Sequence, residues 1–142
     1  MKIYLAAEIR GIDGELASPA KIEHNLRLAC QHAQVLREYF PEIEWIVPHE
    51  NDIVNMLHKM HLVDSQSIID AELELIRTVY DGVVVVGVYH KGTGVAQEIV
   101  ACNESDKFLC ILENTDEPER LFLARKIAEW IGETDEDNAS IE

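Results

Sequence analysis

Val83-Val84-Val85-Val86-Gly87-Val88 is a β-branched run with no polar residue in it. A surface strand alternates apolar and polar side chains, so an unbroken run reads as a strand covered on both faces, as in parallel sheets. The run extends only to Tyr89, too short to span a bilayer. Three shorter segments repeat the signal: Lys2 to Ala7, Trp45 to Val47 closed by Pro48, and Phe108 to Leu112.

Helical periodicity fills the intervals. Ile22, Leu26, Ala29, Ala33, Leu36 and Phe40 recur at steps of three and four after the start signal Ser18-Pro19, and Pro41 ends the stripe. Asp64 or Ser65 caps a second stripe of Ile69, Leu73, Ile76 and Tyr80. A third helix begins near Val95, and a fourth begins at Pro118 with Leu121, Ala124, Ile127 and Ile131 as its apolar stripe. Residues 50 to 64 read as loop with a short helix. Strands alternating with helices predict an α/β fold: a three-layer, flavodoxin- or Rossmann-like parallel sheet of four to five strands with helices on both faces.

A chain of 142 residues fits one domain. Composition places its edge at Gly132, giving a folded domain over 1–132. The segment 133–142 holds five acids, no base and only Ala139 and Ile141 as apolar residues, and reads as a solvated, disordered tail. Twelve basic against 27 acidic residues leave a net charge of −15, a field that repels nucleic acid polymers and acidic membranes. The opening MKIYLAAEIRG reads as neither a signal peptide nor a membrane anchor. Three cysteines (Cys30, Cys102, Cys110) without CxxC spacing argue against a disulfide framework and for a reducing, cytoplasmic setting. Cys102 and Cys110 read as core. His58 and His61 have metal-compatible spacing but no third ligand to go with them, so no metal is expected.

Ligands of open parallel sheets sit beyond the carboxyl ends of the strands. That rule selects Ala7, Glu8, Ile9, Arg10 and Gly11, the His49 segment after the second strand, and His90 with Gly92, Thr93 and Gly94 after the third. Glycines let the backbone approach a ligand, and the following helix directs its first N–H groups into the site. Glu98 is expected in that helix's first turn, where the dipole favours the ionised carboxylate, as nucleophile or charge stabiliser; the other reading is an acid that only stabilises the helix start. Tyr4 lies in the first strand. Glu8 and Arg10 pair most simply with each other. Asp70, Glu72, Glu74 and Asp81 supply further carboxylates, most of them on a solvated helix face.

KIYLAAEIRG at residues 2–11 resembles the opening strand and loop of the nucleoside 2-deoxyribosyltransferase-like superfamily, which includes deoxynucleoside 5′-monophosphate N-glycosidases. DGVVVVGVYHKGTGVAQEIVA at residues 81–101 resembles its second motif: an acid, a hydrophobic strand, S-x-G-x-x-x-E and a helix. The resemblance covers about residues 2–112. It implies that Glu98 is the catalytic glutamate attacking the anomeric carbon and that Tyr4 orients it. An ungapped overlay puts Glu74 on the active-site aspartate that contacts the sugar and helps the base leave; one gap moves that role toward Glu72. Ile9, Arg10 and Gly11 match the loop at the sugar-phosphate end.

The chain departs from the pattern at three points. Gly92 stands for the phosphate-binding serine, with Thr93 beside it as a substitute; Glu8 puts a negative charge in the loop; and no fifth strand is visible. The resemblance also implies a homodimer or larger homo-oligomer, for which Leu28, Val35 and Tyr39 offer apolar helix positions.

The resulting expectation is N-glycosidic-bond cleavage or transfer on a nucleoside or nucleotide, through Glu98 and without a cofactor. The alternatives are a non-catalytic nucleotide-binding or sequestering protein on the same fold, and an adaptor domain whose acidic face docks a basic partner.

Overall fold

The computed structural model describes residues 1–50 and 65–141. His58 and His61 therefore lie outside the described residues, as does the helix read into 50–64. Four strands, β1 (Lys2–Ala6), β2 (Glu44–Ile46), β3 (Gly82–Val86) and β4 (Phe108–Leu112), form one all-parallel sheet in the order β2-β1-β3-β4. Helices α1 (Pro19–Tyr39), α2 (Ser65–Thr78), α3 (Gly94–Glu104) and α4 (Glu117–Ile141) connect and follow them. The fold is the expected α/β parallel sheet with helices on both faces, with four strands among the described residues.

Alternation along each strand builds the two cores. Ile3, Leu5, Val84 and Val86 pack with Phe108, Cys110 and Leu112 against Ala33 and Leu36 of α1 and Leu123 and Ile127 of α4. Tyr4, Ala6, Val83 and Val85 point the other way, onto Leu73 and Ile76 of α2 and Val95, Ala101 and Cys102 of α3. All five residues of β3 are buried, which is why its sequence carries no polar alternation. Cys102 and Cys110 are buried as expected, and burial pushes both thiols up to about 11.

Local signals set the helix starts. Ser18 caps α1 by accepting from the Lys21 N–H, with Pro19 at the first position. Thr93 caps α3 by accepting from the Ala96 N–H.

The last helix corrects the expected stripe. Leu123 and Ile127 face the sheet with Trp130 packed beside them, while Leu121 and Ile131 are exposed. The inward face therefore runs 123, 127, 130 rather than 121, 124, 127, 131 and keeps Ile127 of the expected stripe, because the large side chains Leu123 and Trp130 decide the rotation of a helix whose Ala124 has little to bury. The helix backbone continues past Gly132 to Ile141, across the change in composition.

Gly82 opens β3 where no side chain fits. A Cβ there would lie 2.4 Å from the Phe108 carbonyl oxygen of the adjacent strand. Gly82→Ala is expected to lower unfolding stability by about 1–3 kcal/mol, the usual range for overpacking, measured by urea denaturation. Asp81 locks the same end of the sheet: its side chain accepts from the Lys2 N–H at 2.7 Å and its own N–H donates to the Lys2 carbonyl. Asp81 thus sits at the amino ends of the strands, away from their ligand edge.

With this strand order, the chain leaves β1 toward β2 and returns past it to β3. The connections diverge between β1 and β3, and a crevice at their carboxyl ends follows from that divergence.

Candidate active site

Tyr4 and Glu98 meet across the α2/α3 face of the sheet. The Tyr4 hydroxyl donates to Glu98 Oε1 at 3.3 Å, across 94 residues of sequence. Both side chains are buried, Tyr4 at 3% exposure and Glu98 at 5%. Glu98 Oε2 is also buried and receives no hydrogen bond from the described residues. A buried carboxylate oxygen without a donor is rare in a purely structural role, because ionised carboxylates lose strong hydration on burial.

Glu98 lies in the second turn of α3, one residue beyond the first turn where a helix start most favours an anion. Burial is the dominant influence on it and pushes its pKa well above the usual carboxylate range. The negative charge of Glu72 pushes the same way, and the Tyr4 hydroxyl opposes only in part. Burial and the Glu72 charge thus oppose the ionisation that the helix dipole was expected to favour.

The second acid is Glu72, not Glu74. Glu72 of α2 is half-buried and lies close enough to Tyr4 and Glu98 for its charge to raise the pKa of both. Burial raises its pKa as well, less strongly than for Glu98. Two neighbouring carboxyls oppose each other's ionisation, so the charge of either one favours the proton on the other. Glu74 projects outward with 67% of its side chain exposed and lies 3.9 Å from Arg77. Helical phase explains the difference: 72 falls three residues after Ile69 and four before Ile76, on the apolar stripe, whereas 74 falls off it. An acid on an apolar stripe was the signal for Glu72.

Tyr80, last on the same stripe, stacks on Tyr4 with ring centroids 5.8 Å apart and closes the cluster from the strand side. Burial raises its pKa, and Glu72 adds to the effect. Gly94 lets α2 approach: a Cβ at this position would lie 3.2 Å from the Ile69 side chain and 4.0 Å from Glu98 Oε1. Asp70 is exposed and accepts from Gln66, which also donates to Gln97.

The loop residues come together at the β1/β3 edge. Glu8 pairs with His90 rather than with Arg10: one carboxylate oxygen accepts the His90 main-chain N–H, and the other contacts ring Nδ1 at 2.7 Å. The Thr93 hydroxyl donates to the His90 carbonyl at 2.7 Å while capping α3, so the helix cap occupies the hydroxyl offered as a serine substitute. The Ile9 carbonyl accepts from Asn25 at 2.6 Å, anchoring the first loop to α1. Ala7, Arg10 and Gly11 are half-buried in that loop, and His49 lies in the short 3-10 turn Pro48–Glu50 after β2. Gly92 takes the left-handed conformation at φ +79°, which lets the second loop turn back toward α3.

Among the described residues no group of three His, Cys, Asp or Glu side chains is arranged to hold a metal ion, and no helix is long and apolar enough to cross a membrane. Of the apolar positions offered for self-association, Leu28 and Tyr39 are exposed, Val35 is half-buried, and the Arg120 guanidinium lies 3.8 Å above the Tyr39 ring.

The raised pKa of Glu98 has a thermodynamic sign. An acid whose pKa is higher folded than unfolded contributes most stability below its unfolded value, and that contribution is lost as pH rises through the folded value. Glu98→Gln removes the ionisation and is expected to raise stability by about 1–3 kcal/mol at pH 8, with the gain shrinking toward pH 4.5. Paired thermal melts across that range would read it.

Comparison with protein-family models, with curated proteins and with solved structures finds no match.

Proposed function

We propose that this chain cleaves or transfers the N-glycosidic bond of a nucleoside or nucleotide, with Glu98 as the group that meets the anomeric carbon. One observation carries the reading: a buried carboxyl on the helix that follows β3, bonded on one oxygen by Tyr4, left without a donor on the other among the described residues, and close to a second acid whose charge opposes its ionisation. Strongly perturbed acids at the ligand edge of a sheet favour a catalytic over a purely structural reading.

The chemistry follows from the cluster. Departure of the base leaves positive charge on the sugar, and a carboxylate in a dry site stabilises that charge far better than water does. Glu98 passes its proton to Glu72, leaving the Glu98 carboxylate facing C1′. Glu72 then donates this proton to the departing base as the C1′–N bond breaks and Glu98 bonds to C1′. Water attacks the glycosyl-enzyme, giving its proton back to Glu72, and Glu98 leaves as the carboxylate; a second base in place of water gives transfer. Tyr4 holds Oε1 and leaves the other oxygen for the sugar.

The test is a thermal-shift screen of nucleosides and their 5′-monophosphates, followed by chromatography of the stabilising compounds for liberated base. Free base appearing with the native chain supports the enzymatic reading. Ligands that stabilise the protein yet survive intact support the sequestering alternative.

A further inference from the structure

Glu8 holds a position unusual for an acid in a chain of net charge −15. Its side chain is only 8% exposed, and both carboxylate oxygens are engaged by one residue, His90, on the neighbouring loop. The main-chain N–H of His90 and ring Nδ1–H form a two-point donor set at the carboxyl ends of β1 and β3. Such a set, at the carboxyl ends of parallel strands, is what an anionic substituent of a ligand would bind. Here the protein's own carboxylate fills it.

The neighbouring donor is occupied as well. Thr93 uses its hydroxyl between the His90 carbonyl and the Ala96 N–H. An incoming phosphate would therefore meet Glu8 instead of the His90 donors, at a separation where like charges in a partly buried site repel strongly.

We propose that Glu8 is a specificity residue: a resident anion that closes the anion position of the site and restricts the ligand to an uncharged nucleoside. The substrate part of this inference rests on the N-glycosidic reading; the anion part does not. Glu8 does not touch the reacting atoms in this account, so its substitution changes which compound is accepted rather than the bond-breaking step.

The experiment compares the native chain with Glu8→Ala and Glu8→Gln. Glu8→Gln retains an acceptor for the His90 N–H, and so guards against a loop that collapses without Glu8. Inorganic phosphate is titrated against chloride at matched ionic strength, following the melting temperature and the His90 ring resonances. The four 2′-deoxynucleosides and their 5′-monophosphates are then compared for binding and base release.

The native chain is expected to show no phosphate-specific shift and to favour each nucleoside over its monophosphate. Removal of the charge is expected to create phosphate binding that perturbs His90, and to move the monophosphate-to-nucleoside preference by about 10- to 100-fold. Phosphate binding or a preference for monophosphates in the native chain would overturn the proposal. So would folded variants of which neither gains affinity for phosphate. If the variants gain phosphate binding but no compound releases base, the N-glycosidic reading fails and the resident-anion assignment stands.

Discussion

Glu98→Gln is expected to lower base release by about three orders of magnitude or more, on the scale seen when a nucleophile or a main electrostatic stabiliser is removed. Glutamine preserves the shape of the side chain and an acceptor for the Tyr4 hydroxyl, so the buried cluster keeps its packing. What it removes is the negative charge opposite the sugar and the lone pair that bonds to C1′. The same substitution should make the protein more stable at neutral and alkaline pH, because burial and the Glu72 charge both oppose ionisation of Glu98. Loss of activity with gain of stability separates a functional acid from a structural one: removing a structural acid would lower both. Initial rates by chromatography, read beside thermal melts of the same samples, measure the pair of effects.

Glu72→Gln is expected to lower base release by about 100-fold, within the usual contribution of a general acid and base, whereas Glu74→Gln should leave it unchanged. The contrast rests on position. Glu72 is close enough to Tyr4 and Glu98 to raise the pKa of both, while Glu74 lies in solvent beside Arg77. Substitution at 72 should also alter the pH profile. In the native chain the active form carries one proton between two acids, so the rate falls below the lower apparent pKa and above the upper one. Without the Glu72 charge, the pKa of Glu98 moves down, toward but not to the ordinary range, since burial remains. The acid limb then reports Glu98 alone and should stay in place or move to higher pH, since burial of Glu98 remains, while the alkaline limb that reports loss of the shared proton should disappear. Rates from pH 4 to 9 for the three proteins would show it.

The fold was largely legible because its main signals are local. An unbroken valine run specifies a strand buried on both faces, and Ser18-Pro19 specifies a helix start whatever lies elsewhere in the chain. The position of Glu98 at the ligand edge followed from the same signals, since a strand, a glycine-bearing loop and a helix arrive there in sequence. The upward shift of its pKa did not follow. Local sequence reports the helix dipole, but the burial that outweighs it comes from α2, β1 and β3 closing around it.

Glu72 against Glu74 was a question of helical phase that the Ile69, Leu73, Ile76 stripe already contained. The Glu8–His90 pair spans 82 residues and depends on β1 and β3 being neighbours, which no local pattern states. The stripe of α4 was read correctly at Ile127 and wrongly at Leu121 and Ile131, which offered apolar bulk at helical spacing, while packing favoured Leu123 and Trp130.

The most direct measurement is to find where the sugar becomes attached. A nucleoside fluorinated at the 2′ carbon forms a glycosyl-enzyme but hydrolyses it slowly, because fluorine destabilises the positive charge needed for the second step. Intact-mass and peptide mass spectrometry after incubation should show one sugar on the peptide containing Glu98, and none on the Glu98→Gln protein. Release of base with no adduct, or with the sugar on another side chain, would contradict the claim that the Glu98 carboxylate bonds to the anomeric carbon.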